Sequence, residues 1–294
     1  MTAQGTAARV DAHHHVWDLA VRPQPWMVGE QYQPISRSFA VAELHPQAAA
    51  LGVTASVVVQ SVGEPGETPE LLALAAADPL VAAVVGWVDL TQPGVGDRVA
   101  ELVAGPGGGR LSGVRHQVHD EPDPRWLCRD DVRRGLAEIG SAGLVYDLLV
   151  RAEQLPASLE TVRALPDQLF VVDHAAKPRI AAGRTDPAAN DGWREGLLEL
   201  AREPNVVCKL SGLLVEAPWQ DWRTDDVLPY AELVLQAFGP DRVMIGSDWP
   251  VCLLAATYQQ SLTAYDAAAT RLGPAERAMV LAGTATRVYR IRRP

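Results

Sequence analysis

A chain of 294 residues is long enough for two ordinary domains or for one large barrel, and length alone does not separate the two. Its 48% hydrophobic and 21% charged residues are those of a folded globular protein, which excludes disordered, collagen-like and coiled-coil readings. Thirty-six acidic against 26 basic residues give a formal net charge of −10, and no Lys/Arg cluster tracks a phosphate backbone, so nucleic acid and anionic membrane are excluded as partners.

The N-terminal MTAQGTAARV has no basic segment ahead of an apolar one, so no secretory signal is expected. The oiliest stretch, 71–90, is interrupted by Asp78, Pro79 and Asp89 and does not read as a membrane span. Cys128, Cys208 and Cys252 lie far apart without C-x-x-C spacing, as expected of reduced thiols in a cytoplasmic protein.

In chain order, short β-branched runs occur at 10–15, 55–60, 83–89, 113–116, 144–149, 169–174, 206–210 and 243–248. Several are continuously apolar, as strands covered on both faces are. Helix signals lie between them. Thr68-Pro69-Glu70 supplies an N-cap, a first-turn proline and an acid; Asp130 precedes a periodic segment with Gly143 as C-cap; Asp225 opens a segment that stops at Gly239-Pro240, with Pro229 near its start. From 15 to 248 the run ends recur about every 33 residues, the length of one β/α unit. Eight such units predict an α/β fold, a single (β/α)8 TIM barrel, as one domain over residues 1–294.

In such a barrel the active site lies at the carboxyl ends of the strands. Six of the seven histidines fall there: His13, His14 and His15 on the first run, His116 and His119 at or after the fourth, and His174 on the sixth; His45 alone is elsewhere. Strand alternation places Asp11, His13 and His15 on one face and Ala12 and His14 on the other, so His13 and His15 can converge on one ion or substrate atom. Asp248 closes the eighth run ahead of Trp249-Pro250 and is either a helix N-cap or a catalytic carboxylate. His174 and Lys209 end otherwise oily runs and need a charged, metal or substrate partner; for Lys209 an ion pair inside the barrel competes with a catalytic role.

These residues resemble a known family. Asp11-Ala12-His13-His14-His15 fits the D-x-H-x-H signature of the amidohydrolase superfamily. Gly86-Trp87-Val88-Asp89, Gly113-Val114-Arg115-His116, Asp173-His174 with Lys177-Pro178, Lys209-Leu210-Ser211-Gly212 and Gly246-Ser247-Asp248-Trp249-Pro250 resemble its TIM-barrel lactonases, which act on sugar lactones and pyrone dicarboxylates. The likeness runs from residue 10 to about 289. It implies a lactone hydrolase in which Asp248 handles the proton while His13, His15 and His174 surround an ion or the substrate carbonyl. It also implies one divalent ion, zinc first, on His13, His15, His174 and Asp248, or a reaction without metal. The second metal of other superfamily members is not expected, because strand four offers Arg115 and His116 and strand five Tyr146-Asp147.

On this reading Arg115, His116 and Lys209 orient a lactone or carboxylate substrate, and with Lys177 they make the mouth locally positive for an anionic one. Trp87 and Trp249, with Trp17 and Trp26, wall the pocket or simply pack. Loops 17–34, 61–68 and 214–226 carry substrate choice. A metal-dependent decarboxylase of the same superfamily is the rival reading and a noncatalytic sugar-binding barrel the more distant one. Homo-oligomers are left open.

Overall fold

β-Branched runs such as Val57-Val58-Val59 and Val84-Val85 are stiff at χ1 and suit pleated strands that pack on both sides. In the computed structural model, which describes residues 8–292, these runs become eight strands. They are β1 (Arg9–His14), β2 (Val53–Val59), β3 (Val81–Gly86), β4 (Leu111–His116), β5 (Val145–Leu148), β6 (Phe170–Val172), β7 (Val206–Leu210) and β8 (Val243–Ile245). All pair in parallel, each with the next in chain order. The ring closes just past β8, where Asp248 N–H donates to His13 O at 2.8 Å and His15 N–H to Trp249 O at 2.6 Å. This is the expected (β/α)8 TIM barrel. Residues 1–7, on which most of the secretory-signal reading rests, lie outside the described residues.

Helices fill the intervals: α1 (Val41–Ala50), α2 (Glu67–Ala77), α3 (Val95–Ala104), α4 (Asp130–Ser141), α5 (Leu155–Ala164), then Asp191–Ala201 and the longer Thr224–Phe238. Gly143 and Gly239 follow α4 and Thr224–Phe238 at φ +72° and +77°, as expected of C-terminal glycines. Thr68 is not a cap. It lies inside α2, and its hydroxyl donates to Trp87 O (2.9 Å) and accepts from Trp87 N–H (2.7 Å), tying the helix to the end of β3. Asp130 is the first residue of α4 rather than the residue before it. Pro229 sits beyond the first turn of its helix, where it removes one N–H from the ladder.

Two apolar layers form. Val10, Ala12, Val57, Val59, Val85, Val145, Val171, Val207 and Met244 fill the barrel, with Tyr289 from the C-terminal segment beneath them. Val58, Val84, Val114, Leu148, Val172 and Leu210 face outward into the helical layer. Among the described residues no helix is long and apolar enough to cross a membrane, and the three cysteines are free.

Simple alternation after Val10 and Ala12 would turn His14 inward. Instead β1 takes three residues from Asp11 to His14 while β2 takes two from Ser56 to Val58. The extra residue is a bulge, and it reverses the facing of the residues after it. His13 and His15 turn into the barrel, whereas His14 turns outward with Nε2 3.0 Å from Ser56 Oγ. Asp11 precedes the bulge and so does not share a face with His13 and His15, contrary to the alternation read from sequence. Its buried carboxylate accepts from His13 N–H (3.2 Å), Ser247 N–H (2.8 Å) and Ser247 Oγ–H (2.7 Å). Burial pushes this carboxyl up to about 6 against the pull of those donors.

Asp11→Ala removes the acceptor of the buried His13 and Ser247 N–H groups, while the Ser247 hydroxyl keeps His13 O at 3.3 Å, and should lower stability by about 2 kcal/mol or more. A urea-unfolding midpoint shifted by less than about 1 kcal/mol would refute this role.

Candidate active site

β1 supplies His13, with His15 one residue past its end, β4 Arg115, β5 Asp147 and β7 Lys209; the turns after β6 and β8 supply Asp173, His174 and Asp248. Those turns explain why β6 and β8 end sooner than the apolar runs suggest. His174, Ala175, Ala176 and Lys177 all have φ between 48° and 58°, and Asp248 has φ 58°. The left-handed conformation costs a side-chain-bearing residue energy and persists where the surroundings hold it. Here Trp193 Nε1–H donates to Ala175 O (2.7 Å), and Ser211 Oγ lies 2.9 Å from His174 Nδ1. Gly212, at φ +65°, lets the chain after β7 pass beside the turn, since a Cβ there would lie 2.5 Å from His174 Nδ1 and 3.0 Å from Asp248 Oδ2.

Below the strand ends lies a buried ionic layer. Lys209 Nζ donates to Asp147 Oδ2 (2.6 Å), lies 2.9 Å from Asp173 Oδ1 and 3.2 Å from His13 Nδ1. Arg115 Nη1 donates to Asp173 Oδ2 (3.0 Å), Arg115 Nη2 to Gln60 O (2.5 Å), and Tyr289 Oη–H is shared between both Asp147 oxygens. Burial alone would raise the Asp173 carboxyl; Lys209, His13 and Arg115 together hold it well below the usual range.

Above this layer three imidazoles surround one carboxylate. His13 Nε2 is 3.2 Å from His15 Nε2, and Asp248 Oδ1 is 3.7 Å from His13 Nε2 and 3.5 Å from His15 Nε2. His13, His174 and Asp248 each direct a ligand atom to within 4.8 Å of the other two. His15 Nδ1–H donates to Val59 O (2.7 Å), which fixes the ring with Nε2 facing Asp248 and His13. Burial drives His13 well below its ordinary value and His174 down to about 4. Burial would raise Asp248, but His174, His15 and His13 outweigh it and hold the carboxylate ionised.

A cavity of about 820 Å³, within the range of small-molecule sites, opens over this group. His15, Arg115, His116, His174 and Asp248 line it. His116 stacks on Trp126 at 4.4 Å and has both ring nitrogens engaged, Nδ1 by Trp87 Nε1–H (3.0 Å) and Nε2 by Glu121 (2.7 Å). Trp87 thus stands behind His116. Trp249 is 1% exposed and packs edge-on against Phe39 at 5.4 Å, while Lys209 is fully buried beneath His13. Neither Trp87, Trp249 nor Lys209 borders the cavity. Reading residue types at strand ends missed Tyr32, Arg151, Glu216 and Trp219, which do. Three of these lie in loops 17–34 and 214–226, and Arg151 follows the fifth run by two residues. A second concavity of about 400 Å³, near Arg184 and Tyr230 on the outer wall, contains none of the site residues.

A family profile described as Amidohydrolase matches residues 10–291. An L-fucono-1,5-lactonase of Burkholderia multivorans is 41% identical over 98% of both chains, and one of Burkholderia ambifaria is 39% identical over 97% of both. Among solved structures, an amidohydrolase from Burkholderia multivorans with bound zinc superimposes with a TM-score of 0.88 at 40% identity, covering 97% of this chain and 100% of that one. The eight-stranded barrel with its histidine pair at the end of β1 therefore belongs to the amidohydrolase family.

Proposed function

We propose that the protein hydrolyses the ester bond of a sugar-acid lactone, with Asp248 moving the proton. The observation that carries this reading is an ionised carboxylate set among His13, His15 and His174 under a cavity of small-molecule size. Ester hydrolysis needs a group that takes a proton from the attacking water and returns it to the departing ring oxygen; one carboxylate can do both in turn. Asp248, ionised in the resting site, starts as acceptor and then gives the proton up readily. Arg115, anchored to Asp173 and the Gln60 carbonyl, brings a fixed positive charge to the cavity for the oxyanion. The lactonase relatives support the same chemistry.

The donors fit one divalent ion. Separations of 3.2–3.7 Å among His13 Nε2, His15 Nε2 and Asp248 Oδ1 bracket the roughly 3.3 Å between neighbouring ligands of tetrahedral zinc. Asp173 Oδ1, a buried acceptor without an aligned hydrogen-bond donor, lies 3.5 Å from His13 Nδ1 and suits an Nδ1–H that leaves the Nε2 lone pair to a metal. Zinc, as in the Burkholderia structure, would be held by His13, His15, His174 and Asp248 and would supply Lewis acidity to water and carbonyl.

The charges argue against a doubly anionic substrate. Of the groups that the sequence assigns to a positive mouth, Arg115 is paired with Asp173 (3.0 Å), Lys177 with Glu216 (2.5 Å) and Lys209 with Asp147 (2.6 Å), and His116 Nε2 is engaged by Glu121 (2.7 Å). Arg151 borders the cavity with its nearest carboxylate, Glu216, 3.9 Å away, so a dicarboxylate would find one open cation for two charges, which favours neutral lactones.

Three outcomes are expected. Asp248→Asn should fold normally, judged by its melting curve, and lose about 10²–10⁴-fold of kcat on a hexonolactone; near-full turnover removes Asp248 from the reaction. Chelator competition should find one zinc per chain, and His13→Asn and His174→Asn should each weaken it at least tenfold, whereas unchanged affinity would place the ion elsewhere. A pyrone dicarboxylate should be opened at least about tenfold less efficiently than a neutral hexonolactone; comparable kcat/KM values would contradict the charge argument.

A further inference from the structure

Glu216 ends the short helix Leu213–Glu216 after β7 and lines the cavity with a side chain only 14% exposed. One of its oxygens, Oε1, takes the Lys177 ammonium at 2.5 Å; the other, Oε2, is 3.9 Å from Arg151 Nη1, beyond a hydrogen bond. The half-buried pair therefore retains an unfilled acceptor and the remaining Lys177 hydrogens. Burial raises this carboxyl, but Lys177 and Arg151 lower it further, so it stays ionised.

Its position is tied to the reacting group. Lys177 ends the left-handed run that begins with His174, so one stiff turn carries both the imidazole beside Asp248 and the cation that holds Glu216. Other lining residues are apolar in the manner of a sugar site. Trp26, Tyr32 and Trp219 meet edge to face at 5.9 and 6.0 Å, and the indole N–H groups are already given to Gln24 Oε1 (2.9 Å) and Val215 O (2.8 Å). What the two indoles offer a ligand is carbon surface, on which the C–H face of a ring can lie.

We infer that Glu216, held by Lys177, is the hydroxyl-reading group of this cavity: it accepts a hydrogen bond from a ring hydroxyl, Lys177 donates to the same or an adjacent one, and the pair selects polyhydroxylated rings over bare lactones. This assignment rests on the lactonase reading for its substrate but not for its binding test. A site built to bond hydroxyls discriminates strongly against analogues that lack them, because its own polar groups are left unmatched.

The binding probe is a 1,5-anhydrohexitol, a sugar ring with hydroxyls and no carbonyl, titrated calorimetrically into the wild type, Glu216→Leu and Glu216→Gln, with circular dichroism confirming the fold of each. Glu216→Leu should weaken it about 10- to 100-fold, the range for a hydrogen bond to a charged group, and Glu216→Gln less. In parallel, the ratio of kcat/KM on a hexono-1,5-lactone to that on δ-valerolactone should fall by the same factor, through KM rather than kcat. Unchanged anhydrohexitol binding and an unchanged ratio in either folded variant overturn the inference, as does a wild type that binds no anhydrohexitol. Weakened binding in a protein that opens neither lactone supports the Glu216 assignment and defeats the lactonase reading instead.

Discussion

The arrangement of the site depends on the Asp11 carboxylate. Buried between β1 and the chain leaving β8, it accepts from His13 N–H within its own strand and from both donors of Ser247 across the closure of the barrel. The first contact holds the bulge that turns His13 and His15 inward. The second fixes the residue immediately before Asp248. Gly246 makes the seam close enough, since a Cβ there would lie 2.6 Å from the His13 Cβ. One carboxylate thus sets the register of three of the four groups around the reacting centre, although it touches no substrate.

Asp248 and His174 are positioned by strain as well as by hydrogen bonds. Five non-glycine residues in left-handed conformations, His174 to Lys177 and Asp248, occupy the turns where two strands hand over to loops. Each costs on the order of 1–3 kcal/mol, a burden that persists only where packing over-determines the backbone. Here the indole of Trp193, the hydroxyl of Ser211 and the carboxylate of Glu216 each hold one residue of the first turn. The gain is direction: a regular strand would alternate its side chains between barrel and helices, whereas the turn brings His174 and Lys177 into one cavity.

The barrel was legible because eight β-branched runs at regular spacing leave few other topologies, and the strand-end rule then narrowed the search to a few polar residues. His13, His15, His174 and Asp248 were found in this way, and they do meet. Facing was less legible. The bulge in β1 depends on hydrogen bonds that Asp11 accepts from its own strand and from Ser247, which no periodicity encodes, and alternation misplaced Asp11 for that reason. Trp249 and Lys209 stand at strand ends yet point into packing and into the ionic layer, because the end of a strand does not by itself say which side chain reaches solvent. Glu216, Tyr32 and Trp219 lie in or beside short helical turns within the strand-to-helix connections, whose paths are set by tertiary contacts, so only their loops could be named in advance.

The ionic layer gives the acidic composition a specific meaning. Buried ion pairs contribute little net stability against well-packed apolar residues, because desolvation offsets their attraction. Asp147, Asp173, Lys209 and Arg115 are better explained by what they hold in place. Lys209 and Asp173 both approach His13 Nδ1, at 3.2 and 3.5 Å, and they ask opposite things of it: the ammonium needs a lone pair, the carboxylate a proton. If the proton sits on Nδ1, it serves the otherwise undonated Asp173 Oδ1 and turns a lone pair toward Asp248; if it sits on Nε2, the ring becomes a donor to whatever occupies the cavity. The layer beneath the site therefore governs which of the two roles, ligand or donor, His13 presents. The same pairing that neutralises Arg115 and Lys209 explains why cations below the cavity do not make its mouth a trap for anions.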